Sequence, residues 1–277
     1  MIPQLVTRRA VLQGFAAASL AQAARLGIID THVHFYDPTR PGGVPWPNPK
    51  ETVLYRPAMP DAFASMVKPF GVTGVIVVEA SPWLEDNQWV LDLAKAHPLI
   101  AGTVGHVDPG PEFATQLARF RRNPLFRGIR WGEALLRGAL TDSGPLRLLA
   151  DAGMTLDVIG GGAMLFDVAR VSDLVPGLRM VIDHLPFAMP AGALTALRGR
   201  RNVFAKVSGR IPEDARARRD QLREVREIFG RQRLMYASNW PVSDLVGGYA
   251  EKLKSLRDEF GDDEQFFSGV ARVAYGL

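Results

Sequence analysis

The 277-residue chain contains no cysteine. That absence removes disulfides, thiolate metal sites and a cysteine nucleophile, so any metal has to be held by His, Asp, Glu or Lys. Dense basic runs with interleaved aromatics are missing too. The 33 Lys and Arg are scattered among 29 Asp and Glu, so the formal charge of +4 and the isoelectric point of about 9.6 do not point to nucleic acid as a partner. No apolar run is long enough and rich enough in large side chains for a stable membrane span, which argues against an integral membrane protein. There is no Gly-x-Ser-x-Gly elbow, and Ser208 has no evident base beside it, so a serine hydrolase is not expected. The glycines of IGGGAM, residues 159–164, lack the spacing of a dinucleotide or Walker loop; they read as a strand-to-helix turn, and no organic cofactor is expected.

What is present is enough for one large core. Hydrophobic residues make up 47% of the chain, which suits a single domain rather than two enzyme-sized ones. The first 24 residues differ from the rest. Arg8 and Arg9 precede an alanine-rich apolar stretch that ends in Ala21-Gln22-Ala23, a small-residue cleavage pattern, and Thr7 to Leu12 resembles a twin-arginine export signal. We therefore expect a leader over 1–24, a domain over 25–277 and a periplasmic or exported protein. An amphipathic N-terminal helix, with a cytoplasmic protein, is the alternative. Cleavage after Ala23 would remove two arginines and no acid, lowering the net charge from +4 to +2.

Beyond the leader, short apolar runs alternate with amphipathic stretches, the pattern of repeated β-α units on a parallel sheet. Eight strands are predicted: 27–33, 72–79, 100–107, 126–130, 155–158, 179–183, 203–207 and 234–237. Helices are predicted over 87–96, 112–122, 144–152, 166–175 and 216–229. Eight units in this length suit a (β/α)8 barrel, with a doubly wound open sheet as runner-up. Polar residues gather at the C-terminal strand ends, where barrel enzymes keep their chemistry: Asp30, His32 and His34, then Glu79, His106 and Asp108, Arg130, Asp183 and His184, Lys206 and Ser208, and Asn239. Residues 37–60 hold seven prolines with Trp46 and Tyr55; this segment reads either as a stiff lid over the mouth or as a turn-rich surface loop.

IIDTHVHFYDP carries the strongest signal. On a strand, His32 and His34 project to one face, and Asp30 shares it. Two imidazoles at a strand end, with a third in VIDHLPF, can bind a divalent metal or present a base and a donor to a substrate. His106 with Asp108 either lines the pocket or is a structural pair. His97, before Pro98, reads as a helix cap, and residues 212–231 as a solvated amphipathic helix.

Taken in order, DTHVHFYDP, GVIVVEASPWLEDNQWVLDLA, AGTVGHVD, FRGIRWG, LRMVIDHLPF, NVFAKVSG and RLMYASNWPVSD resemble the amidohydrolase superfamily, in its branch of lactone hydrolases related to fuconolactonase and the pyrone-dicarboxylate lactonases. FFSGVARVAYGL resembles the family's closing helix, which implies that the chain ends where members end. The resemblance implies a distorted TIM barrel, an α/β fold, and a hydrolase acting on a small-molecule cyclic ester. It implies one divalent metal, zinc or manganese, on His32, His34 and His184, with the first two serving as substrate contacts in metal-free members. His184 also matches a residue that polarises the substrate carbonyl. Arg130, His106 and Trp240 are expected to contact substrate; Lys206 is expected to stabilise an oxyanion; Glu79 stands where members carry glutamine or another polar group.

Asn239 departs from the pattern. Members carry an aspartate there, which takes a proton from the attacking water. An amide is neutral, cannot act as a general base near pH 7 and is a poor metal ligand. Three readings follow. Glu79, Asp30 or a metal-bound hydroxide replaces the base; or the reaction differs, as in the non-oxidative decarboxylases of the same superfamily; or the protein binds a sugar acid or lactone without turnover.

Overall fold

The structure is a computed structural model, which describes residues 27–185, 188–208 and 214–277. The leader expected over 1–24 lies outside the described residues. Eight parallel strands run in sequence order: β1 (Ile28–Val33), β2 (Val72–Val78), β3 (Ile100–Gly105), β4 (Phe126–Gly132), β5 (Thr155–Ile159), β6 (Arg179–Leu185), β7 (Val203–Val207) and β8 (Leu234–Tyr236). Each pairs with its sequence neighbour, as right-handed β-α-β crossovers require. The helices are α1 (Pro60–Val67), α2 (Asp86–Ala96), α3 (Phe113–Phe120), α4 (Glu133–Gly138), α5 (Gly144–Asp151), α6 (Met164–Leu174), α7 (Ala215–Phe229), α8 (Gly248–Phe260) and α9 (Val270–Tyr275). The expected single-domain (β/α)8 barrel is what forms, and no helix among the described residues is long and apolar enough to cross a membrane.

Two apolar layers hold the barrel, because strands covered on both faces must be apolar on both. Ile29, Ile76, Val104, Val181 and Met235 fill the interior at the end where the strands begin, and Tyr275, Ala271 and Ala274 of α9 plug that end. Polar side chains at the strand starts fix the plug: Thr155 Oγ1 and Arg179 Nε both donate to the carbonyl of Ala274, and Arg127 donates to that of Gly276. The second layer lies between strands and helices and includes Phe63, Leu91, Leu117, Leu149, Val168, Leu222 and Leu253. Neighbouring strands approach closely at Gly128, where a Cβ would lie 2.3 Å from the Thr155 carbonyl oxygen.

The seam between β1 and β8 distorts the barrel. β8 has only three residues, and closure falls to the segment after it: Asn239 N donates to His32 O at 3.0 Å and His34 N to Trp240 O at 2.8 Å. Side chains complete the seam, with Thr31 Oγ1 donating to Tyr236 O at 2.6 Å and Ser238 N donating to Asp30 Oδ1 at 2.9 Å. The proline-rich segment leaves the barrel beside this seam. An antiparallel bridge between Tyr36 and Ala58 pinches its base, and two ion pairs fasten it: Arg40 to Asp86 on α2 and Arg56 to Asp244 beyond β8, each at 2.7 Å.

Candidate active site

Strict alternation along β1 would put Ile29, an interior residue, on the same face as Thr31, and His32 on the opposite face. A bulge prevents this. Between Asp30 and Val33 the ladder to β2 slips, three residues of β1 spanning two of β2, and the phase reverses. His32 therefore points inward at the mouth with His34, their Nε2 atoms 3.1 Å apart. Asp30 stays behind. Its carboxyl faces the layer outside the barrel, where Tyr236 and Tyr249 pack against each other, and burial pushes it up to about 6. The expectation that Asp30 shares the histidines' face, and can serve there as a base, is corrected by the bulge.

β6 solves the same problem by a twist. Asp183 and His184 are consecutive, so a regular strand would send them to opposite sides. His184 adopts φ of +65°, and the pairing with β7 slips between Ile182 and Leu185. Both side chains now reach the mouth: the His184 ring centroid lies 4.4 Å from that of His32, and Asp183 Oδ1 lies 3.3 Å from His32 Nδ1. His32, Asp183 and His184 offer ligand atoms that all fall within 4.8 Å of one another. His34 Nδ1 meets the Val78 carbonyl at 3.0 Å, and His184 Nδ1 meets Ser208 Oγ at 2.9 Å.

Burial governs the protonation of these groups. It drives the imidazoles far down, His34 to about 3, His184 to about 4 and His32 well below its ordinary value, so all three are neutral at pH 7 and carry a lone pair. Burial alone would raise Asp183, but the Lys206 ammonium and His32 outweigh it and hold the carboxyl well below the usual range. Asp183 Oδ1 is ion-paired with Lys206 at 2.9 Å, while the buried Oδ2 has no hydrogen-bond partner.

The two cations are committed to carboxylates. Lys206 is fully buried; its Nζ lies 2.6 Å from Asp157 Oδ2, 2.9 Å from Asp183 Oδ1 and 3.2 Å from His32 Nδ1. Tyr275 on α9 donates to the same Asp157 oxygen at 2.9 Å. An ammonium so surrounded is not free to stabilise a substrate oxyanion, and that expected role is corrected. Arg130 donates from Nε to Glu79 Oε1 and from NH2 to the Glu79 carbonyl, each at 2.8 Å, and its NH1 lies 3.7 Å from Asp183. It shapes the field of the mouth rather than standing ready to grip a substrate, and Glu79 is correspondingly occupied rather than poised as a base. Glu79, Asp157 and Asp183 face Arg130 and Lys206, and Lys252, donating to the Ser208 carbonyl at 2.8 Å, adds a third cation beside His184, so the charges around the neutral imidazoles are close to balance.

The remaining candidates divide. Asn239 sits beside His32 through its backbone bond, with φ of +60°, a left-handed conformation that asparagine tolerates best among side chains longer than glycine's. Its Oδ1 is buried without a partner. Trp240 is 3% exposed and packs on Phe35 and Phe63, so it belongs to the wall and not to a substrate surface. His106 is held by Asn87, which bonds its backbone at both ends, and its ring meets the exposed Asp108 at 3.0 Å. Trp46 of the proline-rich segment reaches the site, its ring 5.5 Å from His34. Asp157 and Tyr275 were not picked out from sequence. A lone aspartate inside the apolar run TLDVI was the available sign.

Comparison with known proteins agrees with this geometry. Residues 29–277 match the amidohydrolase family. The chain is 30% identical over 242 residues to an L-fucono-1,5-lactonase of Burkholderia ambifaria, covering 80% of this chain and 83% of that one. Among solved structures it resembles amidohydrolase 2 of Bifidobacterium longum subsp. infantis, with a TM-score of 0.75, 29% identity and coverage of 91% and 99%. It also resembles an amidohydrolase of Burkholderia multivorans with bound zinc, with a TM-score of 0.77, 26% identity and the same coverage.

Proposed function

Because the chain belongs to the amidohydrolase family, we propose that it opens a small, uncharged sugar lactone by addition of water to the ring carbonyl. The observation that carries this reading is the convergence of His32, His34 and His184, all buried and neutral, beside Asp183 at the barrel mouth. The lactonase relative supports the reaction. The choice of a neutral substrate is supported by the pairing of Arg130 with Glu79 and of Lys206 with Asp157 and Asp183, which already occupies the two cations that a dicarboxylate lactone would need.

The donor set fits a divalent ion. Neutral imidazoles and an ionised carboxylate are the forms that ligate, and Asp183 Oδ2, buried without a hydrogen-bond partner, is what a cation would satisfy. His32, His34, His184 and Asp183 would hold it. When bound, such an ion polarises the carbonyl and lowers the pKa of a water to about 7, which removes the need for a carboxylate base on β8. Asn239 keeps a narrower role: its unpartnered Oδ1 accepts a hydrogen bond from the incoming water and orients it without taking its proton. Trp46 covers the site and limits bulk water, held in place through the Arg40 and Arg56 ion pairs that fasten its segment. The leader-like residues 1–24 support action outside the cytoplasm, which cell fractionation tests.

The test is a panel of neutral and carboxylated lactones, run with metal analysis on wild type, His32→Ala and His184→Ala. Neutral lactones should be hydrolysed by wild type and not by the variants. Full activity in both variants refutes the assignment of the site. Release of carbon dioxide from a hydroxybenzoate without lactone turnover would refute it in favour of a decarboxylase.

A further inference from the structure

The segment that carries Asn239 lies beyond the sheet, since β8 ends at Tyr236. Its backbone amides are nevertheless all bonded: Ser238 N donates to Asp30 Oδ1 at 2.9 Å, Asn239 N to His32 O at 3.0 Å and Trp240 N to Ser238 Oγ at 3.0 Å. Two of the three acceptors are side-chain oxygens, standing where a longer paired strand would offer carbonyls. What they hold is a backbone that an ordinary residue avoids. Asn239 and His184 are the non-glycine residues with positive φ among the described residues, and such a conformation persists only where its surroundings over-determine it.

Asp30 supplies the anchor from across the seam. It is fully buried, and besides Ser238 N its Oδ1 receives His32 N at 3.3 Å. One oxygen thus spans the amide of a mouth histidine on β1 and the amide next to Asn239. Both donors are backbone N–H groups, which only donate, so these bonds form whether the acid is ionised or protonated. The carboxyl also lies beside the Tyr249 hydroxyl of α8, a group that can donate to an oxygen or accept from an amide.

We propose that Asp30 is a positioning residue for Asn239. Its Oδ1 takes the place of the strand carbonyl that the short β8 does not meet, fixes residue 238 against β1, and so sets where the next residue presents its amide in the mouth. Its part is that of an acceptor, neither a base nor a required charge. The proposal rests on the reading above that Asn239 orients the attacking water, but one of its tests needs no turnover.

That test is amide hydrogen exchange, read by NMR or mass spectrometry. In Asp30→Ala the amide of Ser238 should exchange about tenfold or more faster, while amides at the centres of β4 and β5 keep wild-type rates; a Ser238 amide as protected as in wild type overturns the proposal. Asp30→Asn keeps Oδ1 as acceptor and turns its amide to Tyr249. It should retain both the Ser238 protection and lactone turnover within about threefold, and loss of either by tenfold or more would show that the charge is needed and refute the acceptor role. This variant decides the matter even where Asp30→Ala does not fold. For turnover, Asp30→Ala should lower kcat/KM about tenfold or more, yet cost less than about threefold when introduced into Asn239→Ala, because the group it positions is already gone. Losses that multiply in full would show that Asp30 acts by another route. A wild type that hydrolyses no lactone counts against the lactonase reading, and the exchange rates then decide the positioning by themselves.

Discussion

Asn239→Asp is the most informative single perturbation of this site. The exchange is nearly isosteric, and aspartate, like asparagine, tolerates the left-handed backbone at φ of +60°, so its effects are electrostatic. The exchange replaces Nδ2 beside an Oδ1 that is buried without a partner, in a mouth that already carries the carboxylates of Glu79, Asp157 and Asp183. In the metal-free protein the new carboxylate is desolvated and repelled, which costs about 1–3 kcal/mol. For a domain of this size that lowers Tm by roughly 2–12 °C. The sign with pH follows: an acid whose folded pKa is raised destabilises the fold only where it is ionised when unfolded, so the loss is largest at neutral pH and vanishes below about pH 4. With zinc saturating, the added carboxylate becomes a partner for the ion, and affinity rises about 10- to 100-fold. The zinc-induced gain in Tm should therefore exceed that of wild type. Turnover changes mainly on the acid side, because a β8 carboxylate takes a proton where a metal-bound water with pKa of about 7 is not yet ionised. A gain of about tenfold or more at pH 6, shrinking to within about threefold at pH 9, is expected. Scanning calorimetry with and without zinc, and pH–rate profiles, are the assays. An Asn239→Asp protein with wild-type Tm, no larger zinc effect and an unchanged acid limb would refute the placement of Oδ1 in the reacting space.

Three further outcomes follow from the same structure. Between about pH 4.5 and 6, the metal-free unfolded chain binds protons at His32, His34 and His184 that the fold excludes, whereas the fold retains protons at Asp30 and Asp157, both pushed up to about 6, that the unfolded chain has lost. The leading groups thus differ by one proton, so stability should rise with pH by about 1.4 kcal/mol per unit in this window; chemical denaturation across it checks this, and a slope near 4 or near zero refutes the assignment of these groups. Gly128→Ala would place a Cβ 2.3 Å from the Thr155 oxygen, a backbone atom that cannot yield without parting β4 from β5. A loss of about 3 kcal/mol or more is expected, and a Tm within 2 °C of wild type would contradict that approach. Arg56→Ala removes the 2.7 Å tie to Asp244. The pair is partly exposed, so stability should fall by less than about 1 kcal/mol, while kcat/KM falls roughly 3- to 10-fold if the proline-rich segment acts as a cover; equal kinetics would make it a passive loop.

All eight strands were legible because each is an apolar run that stops at a charged or polar residue, and their ends fall within two residues of expectation. Strand phase was not legible. Asp30 looked to share a face with His32 because spacing of two implies it, yet a single inserted residue in β1 reverses the phase, and nothing in IIDTHV marks where a bulge sits. Asp183 and His184 show the converse. Adjacent residues should diverge, and a positive φ at His184 brings them together. Helices α1 and α4, of eight and six residues, were missed because they are too brief to stand out, and the 13-residue α8 was missed as well. The partners of Arg130 and Lys206 were not legible for another reason: sequence shows that a cation lies near the mouth, but not which carboxylate it pairs with.

The same reasoning changes what the amide at 239 means. A site missing its carboxylate looks depleted when only strand ends are compared, yet this mouth already holds Asp157 and Asp183 beneath it, both paired with Lys206. A further ionised carboxylate at 239 would have no cation among Arg130 and Lys206 left to meet it until a metal arrived. An asparagine there leaves the metal-free fold without that penalty. On the function proposed above, the substitution at β8 spares the site a repulsion before it is loaded, and activity depends on the ion rather than on a side-chain base.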